Sequence, residues 1–175
     1  MKKIFSIFLF AFVISCTSYD NAVIYHKNFV CGMNPLLRFD GFYADSAFAS
    51  NATYPGGAVG YPVFLYSNGS AFCGKGVFDL NEMSSKPFID KMLGGWGNYL
   101  IGHDTITIEK FEPIQNEYKR VIIKGIISKD QITWFSRKER RYAEQPLTYS
   151  VHFHESSVKP DSTKNFTRIW PKYNK

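Results

Sequence analysis

Residues 69–76, Gly69-Ser70-Ala71-Phe72-Cys73-Gly74-Lys75-Gly76, come within one position of a phosphate-cradling loop. That chemistry needs a Ser or Thr hydroxyl after the lysine to bind Mg²⁺, and here Gly76 stands in its place. It also needs a strand before the loop and a helix after it. This run instead starts in a turn signal and continues as an apolar strand pattern. Ser156-Ser157-Val158-Lys159 has the spacing that sets a serine nucleophile and a lysine on one helical turn. Pro160 and its polar surroundings oppose a helix, and the companion Ser-Asp-Asn and Lys-Thr-Gly motifs are absent. His152 and His154 are two apart, so on a strand they share a face. With Glu155 or His103 as a third ligand they are the chain's weak candidates for zinc, although neither His-Glu-x-x-His nor Cys-x-x-Cys is present. Glu82, Asp90, Asp104, Glu109 and Glu112 are scattered, without the fixed separation that paired-carboxylate hydrolysis needs. Arg137, Lys138, Arg140 and Arg141 form a basic cluster broken by Glu139, which reads as a solvated strand end or a contact for anionic lipid headgroups or acidic glycans. No catalytic set, metal set or cofactor motif survives, so the expectation is a non-enzymatic protein without a cofactor.

The elements that must carry these residues follow from composition and pattern. The chain has 175 residues, enough for one domain, with 45% hydrophobic and 21% charged residues, which excludes a disordered tail protein. Aromatics make up 17%, which favours strands over helices. The formal charge is +6, of which Lys2 and Lys3 carry two, and nucleic acid is not an expected partner.

Lys2 and Lys3 precede an apolar run, Ile4 to Ile14, interrupted only by Ser6. As a helix this run spans about 16 Å, roughly half a hydrocarbon core, so residues 1–15 read as a secretory signal. Val13-Ile14-Ser15-Cys16 resembles the lipobox of bacterial lipoproteins. That resemblance implies cleavage before Cys16, acylation of Cys16 with fatty chains such as palmitate, and a lipid-anchored address in the cell envelope, at the outer membrane. Residues 16–35 are then anchor and tether. An oxidising compartment also makes Cys31 and Cys73 candidates for a disulfide, against the alternative of two buried thiols.

Residues 36–155 read as a β domain. Leu36 to Tyr43 is a first strand with Leu37, Phe39, Gly41 and Tyr43 on one face. Tyr61 to Ser67 and Ser70 to Phe78 flank Asn68-Gly69, which predicts a two-residue hairpin. Ser85 to Leu93 is the one predicted helix, started by Ser85 and Pro87, stopped by Gly94-Gly95, and buried through Phe88, Met92 and Leu93. Trp96 to Ile101, Thr105 to Phe111, Glu117 to Ser128, Gln131 to Arg140 and Thr148 to Glu155 are further strands. Thr105 to Glu109 alternates, with Ile106 and Ile108 inward. Residues 156–175 read as a polar tail, with Phe166, Ile169 and Trp170 able to pack back. Short turns between successive strands predict an all-β, antiparallel meander of about eight strands that closes into a barrel, because closure removes exposed edges.

Trp96-Gly97-Asn98-Tyr99, Ile101, Asp104 to Glu109 and Gly125-Ile126-Ile127 resemble small lipocalin-like lipoproteins of Bacteroidota-type envelopes over residues 36–155. Gly41-Phe42-Tyr43 resembles the Gly-x-Trp of lipocalins with Tyr43 in place of the Trp. The resemblance implies a barrel, an envelope address and no set activity. Asp45-Ser46-Ala47, Asp104-Thr105-Ile106 and Asp161-Ser162-Thr163 are similar to the O-glycosylation acceptor of that group. Two functions compete. One is a binding module for a small apolar molecule or glycan fragment, with Trp96 and Trp134 meeting in the interior as its candidate ligand contacts. The other is a structural protein with a filled barrel that docks a second envelope protein.

Overall fold

The computed structural model describes residues 34–45, 58–114, 117–139 and 142–164. Nine strands form one antiparallel sheet: β1 Gly41–Asp45, β2 Ala58–Leu65, β3 Ser70–Gly74, β4 Val77–Asp79, β5 Gly94–Gly102, β6 Thr105–Ile114, β7 Glu117–Ser128, β8 Gln131–Glu139 and β9 Gln145–Glu155. Their order is β1-β9-β8-β7-β6-β5-β3-β2-β4, and a further pairing of β1 with β2 closes eight of them into a barrel. β4 is the extra strand. It continues along β2 after β3, with the register slipped by one residue at Lys75–Gly76. Gly76 takes φ +121 there, so the expected single run from Ser70 to Phe78 is split by a bulge.

Turns at one end of the barrel are short and cross-linked, and we call this end the floor. Asn68-Gly69 does turn the chain, but as the three-residue loop Ser67-Asn68-Gly69. The Tyr66 N–H donates to Ser70 O at 3.0 Å, Asn68 Oδ1 accepts from the Ser70 N–H at 2.9 Å, and Gly69 sits at φ 82. Residues 34–40 cross the floor instead of extending β1 back to Leu36. Asn34 Oδ1 accepts from the Leu36 N–H, Asn34 Nδ2 donates to His103 O across the barrel end, and Leu37 drops into the core. The expected helix shrinks to one turn, α1 Lys86–Ile89, after a 3-10 turn at Glu82–Ser84. Gly94-Gly95 does not stop it; both residues already pair with β3. Met83 and Ile89 are fully buried and the expected Phe88 and Met92 pack beside them, whereas Leu93 is 75% exposed because the chain is extended there and its carbonyl accepts from the Lys75 N–H.

Two apolar cores result, one on each side of the wall. Strand alternation sends Tyr43, Val63, Leu65, Ala71, Cys73, Tyr99, Ile106, Ile108, Ile123, Ile127, Ile132, Trp134 and Val151 to the barrel interior. The expected inward Ile106 and Ile108 are both fully buried. Trp134 lies on Gly125, where an added Cβ would come within 2.7 Å of the ring. The outer faces of β1, β2, β3 and β5 carry Phe42, Ala44, Phe64, Phe72 and Trp96, covered by residues 79–93. Phe64, Phe72 and Trp96 are successive partners across three strands, with Phe72 edge-on to Trp96 at 5.0 Å. Residues 156–164 extend this cover. Val158 packs on it, Tyr66 Oη donates to Pro160 O at 2.6 Å, and the Ser156 N–H donates to Asp40 O.

Because Trp134 and Phe72 occupy opposite faces of the wall, their losses should be independent. Trp134→Ala and Phe72→Ala are each expected to cost roughly 3–5 kcal/mol, and the double variant the sum within about 0.5 kcal/mol, in urea unfolding. A strongly non-additive double variant would show that the two cores are one.

Candidate functional site

The barrel changes character along its axis. Its floor half is aromatic and aliphatic and closed to water, with Trp134, Tyr43, Tyr99, Leu65, Ile106 and Ile132 all under 2% exposed. Towards the opposite end the same inward positions turn polar. Lys110 and Glu112 continue the inward row of Ile106 and Ile108, and Arg137 and Glu139 pair with the inward Ile123 and Val121. Lys110 Nζ lies 2.5 Å from Glu112, Arg137 Nη2 lies 3.0 Å from the other Glu112 oxygen, and Arg137 Nη1 lies 2.7 Å from Glu139. The result is a chain of alternating charge, Lys110–Glu112–Arg137–Glu139. Water still reaches it, since the side chains are 12–27% exposed. Lys119, opposite Glu112 across the β6–β7 ladder, and Asp45, close enough to act on Tyr149, lie at the same end among the described residues.

Burial acts against both ends of the first pair, and the partners outweigh it. The Glu112 carboxyl is desolvated, yet Lys110 and Arg137 hold it below the usual carboxylate range. Lys110 is desolvated too, yet the Glu112 carboxylate against it leaves it above the usual lysine range. Burial raises the Cys73 thiol and the Tyr149 phenol, so both stay protonated at neutral pH. Cys73 is a buried free thiol; Cys31, its candidate partner, and Cys16 lie outside the described residues.

Trp134 and Trp96 do not meet. Trp134 is interior, but Trp96 faces the outer core, because it is an odd number of residues from the inward Tyr99. His152 and His154 share the outer face of β9, opposite Ala44 and Phe42. His154 stacks on Phe42 at 5.2 Å, and its Nε2 is buried with no hydrogen-bond partner. Burial and the adjacent His152 lower its pKa. His103 sits at φ 56 in the floor turn between β5 and β6. Among the described residues no three His, Cys, Asp or Glu side chains gather into a metal site. The expected basic cluster does not face one way: Arg137 is inward and ion-paired, Lys138 is exposed, and Arg140 and Arg141 lie outside the described residues. Lys75 of the phosphate-loop-like run is exposed at the bulge, and Lys159 of Ser-x-x-Lys lies over the Tyr66 ring at 5.4 Å, in coil. Ser46 lies outside the described residues, Thr105 opens β6 and Ser162 opens a 3-10 turn.

The inward charges were missed in the sequence because Lys110 and Glu112 look like the polar end of an amphipathic strand. The available signal was parity: both stand at even positions after Ile106 and Ile108. No protein-family model, curated protein or solved structure matches the chain.

Glu112→Gln should cost about 1–3 kcal/mol at neutral pH, since one partner of a half-buried ion chain is lost. The carboxyl's folded pKa is depressed, so its stabilisation is full above the unfolded value and lost as pH falls through the folded one. Wild type and Glu112→Gln are therefore expected to converge in stability below about pH 4, in urea titrations run across pH. His154 gives a second, separable pH effect. Its pKa is lowered on folding, so stability present above the ordinary imidazole value of 6.5 declines as pH falls from there towards the folded pKa. His154→Phe keeps the stack on Phe42 and should remove that decline, read from melting temperatures at pH 7.5 and 5.

Proposed function

We propose that the protein is a lipid-anchored bacterial envelope protein, attached through Cys16, whose barrel works as a non-enzymatic binding module. The observation that carries this reading is the two-part interior: a dry apolar floor under a water-reached ring of paired charges. A barrel that serves only as a packed core gains nothing from half-buried ions, which cost desolvation that apolar side chains avoid. A small ligand entering at the charged end meets orienting polar groups first and an apolar base behind them, the usual composition of a binding cavity. The membrane is a partner through the lipid alone, and the resemblance to lipocalin-like envelope lipoproteins agrees with this address.

One observation favours the second reading, a barrel that docks another envelope protein. Leu93 is 75% and Tyr61 50% exposed, at the rim of the barrel near the Lys75–Gly76 bulge. Native mass spectrometry of the full chain, extracted in detergent, separates the two. A co-purifying small molecule supports the module, and a co-purifying protein without one supports docking. In the same cells Cys16→Ser should move the protein out of the membrane fraction and abolish the acyl mass increment.

A further inference from the structure

The charged end of the barrel has a composition that selects among ligand classes. Among the described residues Lys110 and Arg137 stand against Glu112 and Glu139, so this ion-paired set is neutral. Lys110, Glu112, Arg137 and Glu139 are already paired with one another. An apolar molecule seated on this ring would strip the remaining water from half-buried ions and return no hydrogen bonds. An anion brought to Arg137 meets Glu112 and Glu139 beside it, and a cation brought to Glu112 meets Lys110 and Arg137. What the ring offers without conflict is unused hydrogen-bonding capacity. Each carboxylate has about four acceptor sites, an ammonium three donors and a guanidinium five. A neutral polyhydroxylated ligand, whose hydroxyls both donate and accept, fills that capacity without adding charge.

The surroundings suit the same class. Tyr149 forms part of the wall beside Lys110, apolar on its ring face, its phenol protonated. At the rim Tyr142 is 57% and Tyr61 50% exposed, rings that give a sugar's C–H face a flat surface. Tyr61 holds φ 47, a left-handed conformation rare for an aromatic residue, where β2 bulges against β1.

We infer that the ligand of this barrel is an uncharged sugar or short glycan bound at the ring formed by Lys110, Glu112, Arg137 and Glu139. This rests on the binding-module reading above and deepens it. The test is isothermal titration of the full chain in lipid nanodiscs, with empty nanodiscs subtracted. The probes are neutral oligosaccharides (chitobiose, cellobiose, maltotriose), digalacturonate and 1-decanol. At least one neutral sugar should bind, at least tenfold more tightly than digalacturonate, and decanol should give no saturable heat. Arg137→Gln should weaken the sugar at least tenfold. Lys119→Met, at the rim, should weaken it severalfold while leaving circular dichroism unchanged, which keeps the test open if Arg137→Gln fails to fold. Decanol or digalacturonate binding that the variants abolish, with no sugar bound, overturns the sugar assignment and leaves the binding module standing. Sugar binding indifferent to the folded variants places the sugar elsewhere and overturns this site. No saturable binding by any probe overturns the sugar inference, and if native mass spectrometry is equally empty the module falls with it.

Discussion

The pairing of β1 with β2 rests on two register positions, Tyr43↔Val63 and Asp45↔Gly60, and it turns an open sheet into a barrel. Without it both strands would expose an edge, and Tyr43, Val63 and Leu65 would lose the opposite wall that buries them. Closure is obtained with an irregularity. Between these pairs β2 carries two residues, Tyr61 and Pro62, where β1 carries only Ala44, and Tyr61 takes its left-handed φ at that bulge. The pairing of β1 with β9 is the longest-range contact of the barrel, Gly41 against Glu155. Loop-closure entropy therefore opposes the seam more than any hairpin.

Closure also defines an inside, and the inside is where the sequence was most and least legible. Thr105 to Glu109 alternates without interruption, so the inward Ile106 and Ile108 follow from a period of two. The β7 limits, Glu117 to Ser128, match the expected ones residue for residue. The errors share a cause: local signals were outcompeted by tertiary partners. Gly94-Gly95 has the composition of a helix stop, but β3 offers Gly74 and Cys73 as ladder partners, and strand pairing wins. Leu36 to Phe39 has strand composition, yet the floor needs a plug, and Leu37 and Phe39 supply it. Trp96 looks like a core residue and is one, but of the outer core, which no periodicity within β5 could announce. That core exists only because residues 79–93 fold back over the wall.

The candidate site was the least legible part. Its ion-paired charges lie on β6 and β8, and each looks like a surface residue in its own strand. Their meaning appears when Lys110 and Arg137 are brought to the same carboxylate, 27 residues apart in sequence numbering but joined through Glu112. The low dielectric that makes each charge expensive to bury also strengthens its attraction to its neighbours, so the chain of pairs is held as a unit.

The floor has a mechanical consequence. β1 begins and β9 ends there, side by side, with Asp40 and Ser156 joined by a hydrogen bond. A load applied between these two strand ends does not shear the barrel. It acts on the Gly41↔Glu155 pair first, then Phe42↔His154, then Tyr43↔Phe153, opening the seam as a zipper in which each ladder position carries the force in turn. A fold that is well packed in every direction is thus weakest along the line joining its own first and last strands.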